Sequence, residues 1–246
     1  MKKISTVLFI CCMLFISASA QEFRVGGKFA YNSTWLFNTN VSDKGDIIDN
    51  ASAFGTSFGL TTTFYFSEEA GVSLDLLFAS HNAKFKGTDG VNTGEATEKM
   101  SYTDIPVLFH LGASDGGGYV EVGPQFSFLS GVKEDLSSSS GINSSGVDYK
   151  GDFNNMNIAA ILGFGYDFYL ADNWFVTAGL RFGYGLGDAT KEFSETELNS
   201  VDRSVISENA HYDATGNFKY VATHRAFGGL NIGVSYQLGT ASRHRN

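Results

Sequence analysis

Cysteine is nearly missing from this chain. Of 246 residues only Cys11 and Cys12 are cysteine, and both lie within the first twenty positions. The remainder has no disulfide framework, no thiolate nucleophile and no cysteine metal ligand. Proline is as scarce, with Pro106 and Pro124 alone. Charged residues make up 17%, against roughly 25% for an average soluble domain. The 17 basic residues are outnumbered by 26 acidic ones and form no cluster, which argues against a nucleic-acid surface. No apolar run is long enough for a membrane helix, since 4–16 is 13 residues and a span needs roughly 20.

That short run has a different reading. Met1-Lys2-Lys3 is a positive start, 4–16 an apolar core, and Ala18-Ser19-Ala20 a small-residue cleavage site before Gln21. The pattern is that of a secretory signal peptide over 1–20. Bulky Ile10 ahead of Cys11 argues against a lipoprotein signal. Losing Lys2 and Lys3 takes the formal net charge from −9 to −11.

What the chain does contain is glycine (29), phenylalanine (22) and tyrosine (11), arranged with a period of two. In the stretch 102–131, Ile105, Val107, Phe109 and Leu111 share one face, and Asp104, Leu108 and His110 the other. After the turn 114–118, Val120, Val122, Pro124, Phe126 and Phe128 alternate with Glu121, Gly123, Gln125 and Ser127. Such alternation marks strands with one apolar face. Eight runs of this kind are predicted, over 22–36, 53–66, 70–84, 99–112, 118–131, 154–170, 174–187 and 221–239. No segment has a sustained helical period.

The connections alternate too. Short turns fall at 67–69, 114–117 and 171–173, and long polar loops at 37–52, 86–98, 132–153 and 188–220. A meander collects the short turns at one end and the long loops at the other, as in outer-membrane barrels. The expected fold is therefore all-β, an eight-stranded antiparallel up-and-down transmembrane β-barrel over 21–239, with a short tail over 240–246 and both termini periplasmic.

The polar faces decide which side is inside. They are rich in Gly, Ser, Thr and Asn rather than in the dense Lys and Glu of a solvated surface. Small side chains suit a narrow eight-stranded interior, which side chains fill. The apolar faces place Trp35, Phe54, Phe64, Phe66, Trp174, Tyr184 and Tyr236 near their ends, as aromatic girdles require. The rival is a soluble lipocalin-like barrel with the apolar face inside.

Strand parity turns Arg24, Lys28, Asp75, His81, Asp104, His110, Glu121, Asp167, Arg181 and Arg225 inward. Charges in a narrow lumen need partners, so a network of bridges across the interior is expected. It either fills and pins the barrel or forms a path or latch. His81, His110, Asp75 and Asp104 are a loose candidate for zinc, without the short spacing of a motif such as HExxH. His224 is the outward strand histidine, and no nucleophile and acid accompany it in the pattern of a lipid-facing hydrolase. No catalytic, metal or cofactor residue is assigned. Pro106 and Pro124 fall within predicted strands, with Pro106 opposite position 125, next to Pro124, so one shared bulge or gap is expected there. The serine-rich loop 132–153 reads as flexible and the acidic loop 188–220 as a solvated surface. These two loops are the expected route to a protein partner. Other expected partners are outer-membrane lipid alone, with no nucleic acid, and the chain is expected to be a monomer.

Val25-Gly26-Gly27, Tyr102 through Pro106, Glu121-Val122-Gly123-Pro124, Leu162-Gly163-Phe164-Gly165-Tyr166 and 229–238 together resemble the PorT-like, OmpX-like family of Bacteroidetes outer-membrane β-barrel domains. The resemblance covers most of the chain beyond residue 20 and implies an eight-stranded outer-membrane barrel. Some members of that family take part in type IX secretion. A tail over 239–246 follows Tyr236-Gln237-Leu238, where such barrels usually end on an aromatic. The expected function is a non-enzymatic envelope or partner-binding barrel, with a small channel or secretion accessory as the alternative.

Cell fractionation checks the orientation of the faces. An outer-membrane band whose gel mobility changes on heating is expected, and a soluble periplasmic band would put the apolar face inside.

Overall fold

The structure, a computed structural model, describes residues 22–238. The leader, with Cys11 and Cys12, and the tail lie outside the described residues. Eleven strands form one antiparallel sheet: β1 (Glu22–Phe37), β2 (Asp49–Ala51), β3 (Ala53–Tyr65), β4 (Ala70–Ser80), β5 (Ala83–Thr88), β6 (Thr93–Gly112), β7 (Gly117–Ser138), β8 (Ser144–Asp148), β9 (Met156–Tyr169), β10 (Trp174–Gly185) and β11 (His224–Leu238). Eight of them close a ring. In order these are β1, β3, β4, β6, β7, β9, β10 and β11, with β11 pairing back to β1 from Phe23↔Leu238 to Phe37↔His224. The ring is an up-and-down barrel. The remaining β2, β5 and β8 are short strands within the long connections.

Side-chain parity is that of a barrel whose solvent is lipid. Outward phenylalanines such as Phe29, Phe58, Phe78, Phe164 and Phe182 are exposed, which hydrocarbon tolerates and water does not. Trp174 stacks edge-on with Tyr236 at one end of the band, and Tyr31 stacks flat on Phe54 toward the other. The apolar face has an upper limit. On β6 the outward series passes from Ile105 to Thr103, Ser101 and Lys99, and on β7 from Phe128 to Ser130, Lys133 and Asp135. Beyond those points the two strands leave the membrane band. Flanked by β5, β2 and β8, they form a sheet that stands on the long-loop side.

Turn chemistry sets the opposite end. Asp172 (φ 49°) and Asn173 (φ 68°) take the left-handed conformation that a two-residue hairpin requires at both central positions. The amide of Trp174 closes that turn on the Ala171 carbonyl at 2.9 Å.

The prolines interrupt pairing without shifting it. Pro106 faces Gln125, the next pair in the ladder is Phe109 with Val122, and the sum of partner numbers is unchanged. The β4–β6 ladder skips the same place, from Leu74↔Val107 to Leu77↔Asp104. The β7–β9 ladder runs through Pro124↔Ala160. The bulge lies elsewhere: Tyr102 pairs with Leu129 but Ser101 with Gly131, which leaves Ser130 extra. One added residue reverses parity. Hence β7 faces inward at Gln125, Ser127 and Leu129, and then at Val132 and Glu134.

Three loop expectations are corrected. The connection 86–98 is largely the β5–β6 hairpin, and 132–153 contains the end of β7 and all of β8. Loop 188–220 is folded rather than loose, with two short helices, α2 (Glu195–Leu198) and α3 (Val205–Ala210), and a further short helix α1 (Thr39–Ser42) lies against α3. Helical periodicity over four to six residues is too brief to register in sequence.

Adjacent glycines give a sharp test of closure. A Cβ on Gly26 would lie 2.1 Å from the Val234 carbonyl oxygen and 2.6 Å from Ser235 Cα, whereas one on Gly27 would meet nothing nearer than 3.8 Å. Gly26→Ala is expected to destabilise the barrel by about 1–3 kcal/mol in urea titration of the refolded protein, and Gly27→Ala to leave it near wild type.

Candidate functional site

The lumen is filled by charge. Arg24, Lys28, Asp75, His81, Asp104, His110, Glu121, Asp167, Arg181 and Arg225 are all buried. They fall into three tiers.

At the short-turn end, Arg24 Nη1 lies 2.6 Å from Asp167 Oδ2, and Thr177 Oγ1 donates to Asp167 Oδ1 at 2.6 Å. The same guanidinium donates to Gln237 Oε1 and the Ser114 carbonyl. It stacks 3.7 Å above the Phe175 ring.

In the middle tier Arg181 spans two carboxylates, Asp75 at 3.0 Å and Glu121 at 2.8 Å. Lys28 reaches the same Asp75 oxygen at 2.9 Å, and Thr61 donates to the other. His110 Nδ1 lies 3.2 Å from Glu121 Oε1, while its Nε2 meets the Tyr65 hydroxyl at 3.2 Å.

The upper tier holds His81 Nε2 against Asp104 Oδ2 at 2.7 Å, and Arg225 Nη2 donating to Ser127 Oγ at 2.6 Å. The Arg225 guanidinium lies 4.2 Å from the centroid of the Tyr102 ring. Between the middle and upper tiers sits an apolar layer of Leu108, Ala159, Ile161 and Phe227. On β6 Leu108 lies between Asp104 and His110, and on β11 Phe227 follows Arg225.

Four cations thus share these tiers with four carboxylates, each at close range to neutralising or hydrogen-bonding groups, and Glu22 is a fifth buried acid at the start of β1. Because removing one partner of a buried pair strands the other, each tier depends on all its members. A cavity of about 30 Å³ bordered by Arg24, Lys28, Glu121 and Asp167 is room for about one water. His81, His110, Asp75 and Asp104 do not converge. His81 pairs with Asp104, His110 with Glu121, and Asp75 with Lys28 and Arg181. Among the described residues no group of three or more His, Cys, Asp or Glu is arranged for a metal. His224 Nδ1 donates to the Gly185 carbonyl at 3.1 Å and the ring stacks on Tyr184, which is a structural use of the ring.

Over the long-loop mouth lies a folded lid, 188–223. Asn38 donates to the Val221 carbonyl and Thr223 Oγ1, and Asn40 to the carbonyls of Ala210 and Lys219. Asp188 accepts from the amides of Thr190 and Thr223 and from the Tyr220 hydroxyl. Several acids that read as solvated are therefore structural. Glu197 closes a capping box with Ser194. Asp213 accepts from the Thr215 hydroxyl and amide and the Asn217 amide, and these bonds hold its carboxyl down at about 2. Under the lid is an apolar core that includes Leu36, Val41, Phe85, Met100, Val132, Phe153 and Ile206. Beside it an open groove of about 340 Å³ runs between the β5–β6 hairpin and α3, with Ile47, Phe85, Leu136 and Val205 among its walls and Lys86, Glu95 and Asn209 at its rim.

A ring of eight strands, an outward apolar band and a polar lumen make a membrane barrel on geometry alone. The family described as "Outer membrane protein beta-barrel domain" matches residues 19–191. The chain belongs to that family. Membership in the outer membrane protein beta-barrel family implies the outer membrane as its location. Comparison with curated proteins gave no match. Among solved structures, OprG of Pseudomonas aeruginosa is similar at 12% identity, covering 90% of this chain and 97% of its own, with TM-score 0.40. The N-terminal β-barrel domain of OprF from the same organism is 15% identical over 88% of this chain and 97% of its own, at TM-score 0.38. The outer membrane protease OmpT of Escherichia coli is 6% identical over 90% and 98%, at TM-score 0.35. At these scores the likenesses bear no further argument.

Sequence parity missed Glu98, Glu134 and Asp152, all buried at the lid. Glu134 lies beyond the Ser130 bulge, and Glu98 and Asp152 fall in stretches that read as loop. The inward positions of 93–100 carry an alternation, Ala96, Glu98, Met100, that extends the strand once it is sought.

Arg181 tests the network. Arg181→Met strands Asp75 and Glu121 at the centre of the barrel and is expected to cost about 3–5 kcal/mol in urea unfolding of the refolded protein. Arg181→Lys is expected to recover only part, because one ammonium cannot match the two-oxygen fork.

Proposed function

We propose that this protein is a non-enzymatic outer-membrane barrel with a closed lumen, which presents a folded extracellular crown to a protein partner. The observation behind this reading is the contrast between its two halves. The lumen holds paired charge in its lower and middle tiers, and above them the apolar layer at Leu108, Ile161 and Phe227 and the Arg225 guanidinium over Tyr102. A hydrated ion would have to part these pairs and also cross the apolar layer. Beyond the band, β5, β6, β7 and β8 and the lid supply an ordered surface with a 340 Å³ groove. Rigid scaffolds place binding on such loops, so the partner contact is assigned to 132–153 and 188–220. Exposed Ile142 and Val201 offer it apolar tips.

Export by a signal peptide over 1–20, cleaved before Gln21, belongs to the same proposal, as does a monomeric state with lipid around the outward face. The resemblance to PorT-like domains supports a finer version, in which the crown docks onto a secretion or transport assembly. The channel reading is the alternative, and a lumen that parts its ion pairs would be its basis.

One pair of measurements separates them. In planar bilayers the purified barrel is expected to give no discrete conductance steps. In cells, a photo-reactive side chain at Ile142 or Val201 is expected to capture a protein that one placed at lipid-facing Phe182 does not. Discrete steps with no adduct would favour the channel.

A further inference from the structure

The start of α3 is held by carboxylates on the barrel wall. The Ser204 amide donates to Asp152 Oδ2 at 2.8 Å, the Val205 amide to Glu134 Oε2 at 2.8 Å, and the Ile206 amide to Glu98 Oε1 at 3.3 Å. The Ser207 amide is capped by Ser204 Oγ. The four free amides of a helix start are thus all satisfied, three of them by acids from outside the helix. Asp152 has its counter-ion, Arg203 at 2.9 Å.

Among the described residues Glu98 and Glu134 have none. They are direct cross-strand partners facing the same side, both buried, above the membrane band. Two carboxylates directly opposite repel. Glu98 Oε2 meets no hydrogen-bond donor among the described residues, which a proton on either acid would supply. The groups around the pair give little relief. Asp152, Glu208 and, farther off, Asp202 add negative charge, Tyr102 and Tyr149 are neutral, and Arg203 is engaged by Asp152. Lys99 and Lys133 stand on the outer face, and Lys99 is bonded there to Asp135.

We propose that loop 188–223 is a proton-latched lid, in which Glu98 and Glu134 hold one proton between them and release α3 when that proton is lost. With the proton in place the pair carries a single negative charge, which the α3 amides stabilise. Without it, two facing carboxylates are buried together and the lid is the element free to move, since β6 and β7 are fixed in the ring. Opening uncovers Met100, Tyr102 and Val132, and below Tyr102 the Arg225 guanidinium.

The titration has the sign this requires. Burial, together with the Glu134 carboxylate, holds Glu98 well above the usual carboxylate range, and burial raises Glu134 as well. An acid whose folded value is raised stabilises the closed state at low pH and loses that contribution as pH rises through the raised value. The lid is therefore tight in acid and loosens above the ordinary carboxylate range, the reverse of acid unfolding.

The test uses the full barrel refolded in lipid vesicles and trypsin cutting within the lid at Lys191, Arg203 or Lys219, from pH 5 to 9. Glu98→Gln and Glu134→Gln each imitate the protonated acid. The ratio of wild-type to variant cutting rate, in which the pH dependence of trypsin itself cancels, is expected to rise by up to about tenfold per pH unit above the ordinary carboxylate range, where opening the lid releases the proton, and to level off above the raised value. A ratio that stays flat overturns the proposal. Hydrogen exchange of the α3 amides in the wild-type protein reads the same opening without a substitution. Protection there is expected to fall with pH beyond the intrinsic rate while that of the β9 and β10 amides does not, and protection that tracks the barrel amides overturns it too.

Discussion

An eight-stranded ring leaves its interior no room for an unpaired charge. The width of the lumen is set by strand number, and side chains from opposite walls meet within it. Arg181 on β10 touches Asp75 on β4 and Glu121 on β7, strands that share no ladder. Backbone pairing determines which strands are neighbours, and bridges of this kind fix how the far walls sit against each other. The small side chains around them follow from the same constraint. Gly163 lies beside the Glu121 carboxylate, and Gly165 and Gly179 beside the Tyr119 ring hydroxyl, so bulk on one strand is matched by its lack on the next.

The same rule explains why chemistry is so sparse. Each lumen histidine is committed, His81 to Asp104 and His110 to Glu121 and Tyr65. A general base needs access to a substrate, and these rings have none. Their carboxylate partners are shared with arginine, lysine or serine hydroxyls, so the proton inventory of the lumen serves packing. The constraint ends beyond the membrane, where β6 and β7 outgrow the band and water returns as solvent.

The sequence shows the barrel and hides the crown for one physical reason. In lipid, alternation is enforced by solvent on one face and packing on the other, so residues such as Trp174, Val176, Ala178 and Leu180 read out their orientation directly. The four cations, four carboxylates and two imidazoles of the three tiers follow from parity because no bulge lies between them and the strand starts, whereas Glu22, buried at the first position of β1, is left unnamed. Above the band that enforcement ends. Lys99, Glu98, Thr97 and Ala96 sit in a strand with charge on both faces, which reads as loop. The Ser130 bulge then reverses parity just where Glu134 matters. The lid is bound by side chains far apart in sequence, such as Asn38 to Thr223 and Asp152 to Ser204, and no local pattern records such contacts.

The placement of buried acids separates the two halves by purpose. In the three tiers of the lumen Asp75, Asp104, Glu121 and Asp167 each meet a cation, an imidazole or a hydroxyl, and the arrangement needs no titration to be stable. At the lid, Glu98 and Glu134 face one another with no cation of their own and a helix start as their chief donor. A lysine or arginine at either position would bind its acid partner across the strands and hold the wall together. It would also leave the α3 amides without an acceptor, since a cation has no lone pair to offer. Two acids are the solution that grips the helix, and the repulsion between them is the consequence of that grip. Stability of the wall and attachment of the lid therefore compete at this one cross-strand pair, and the number of protons it holds decides the balance.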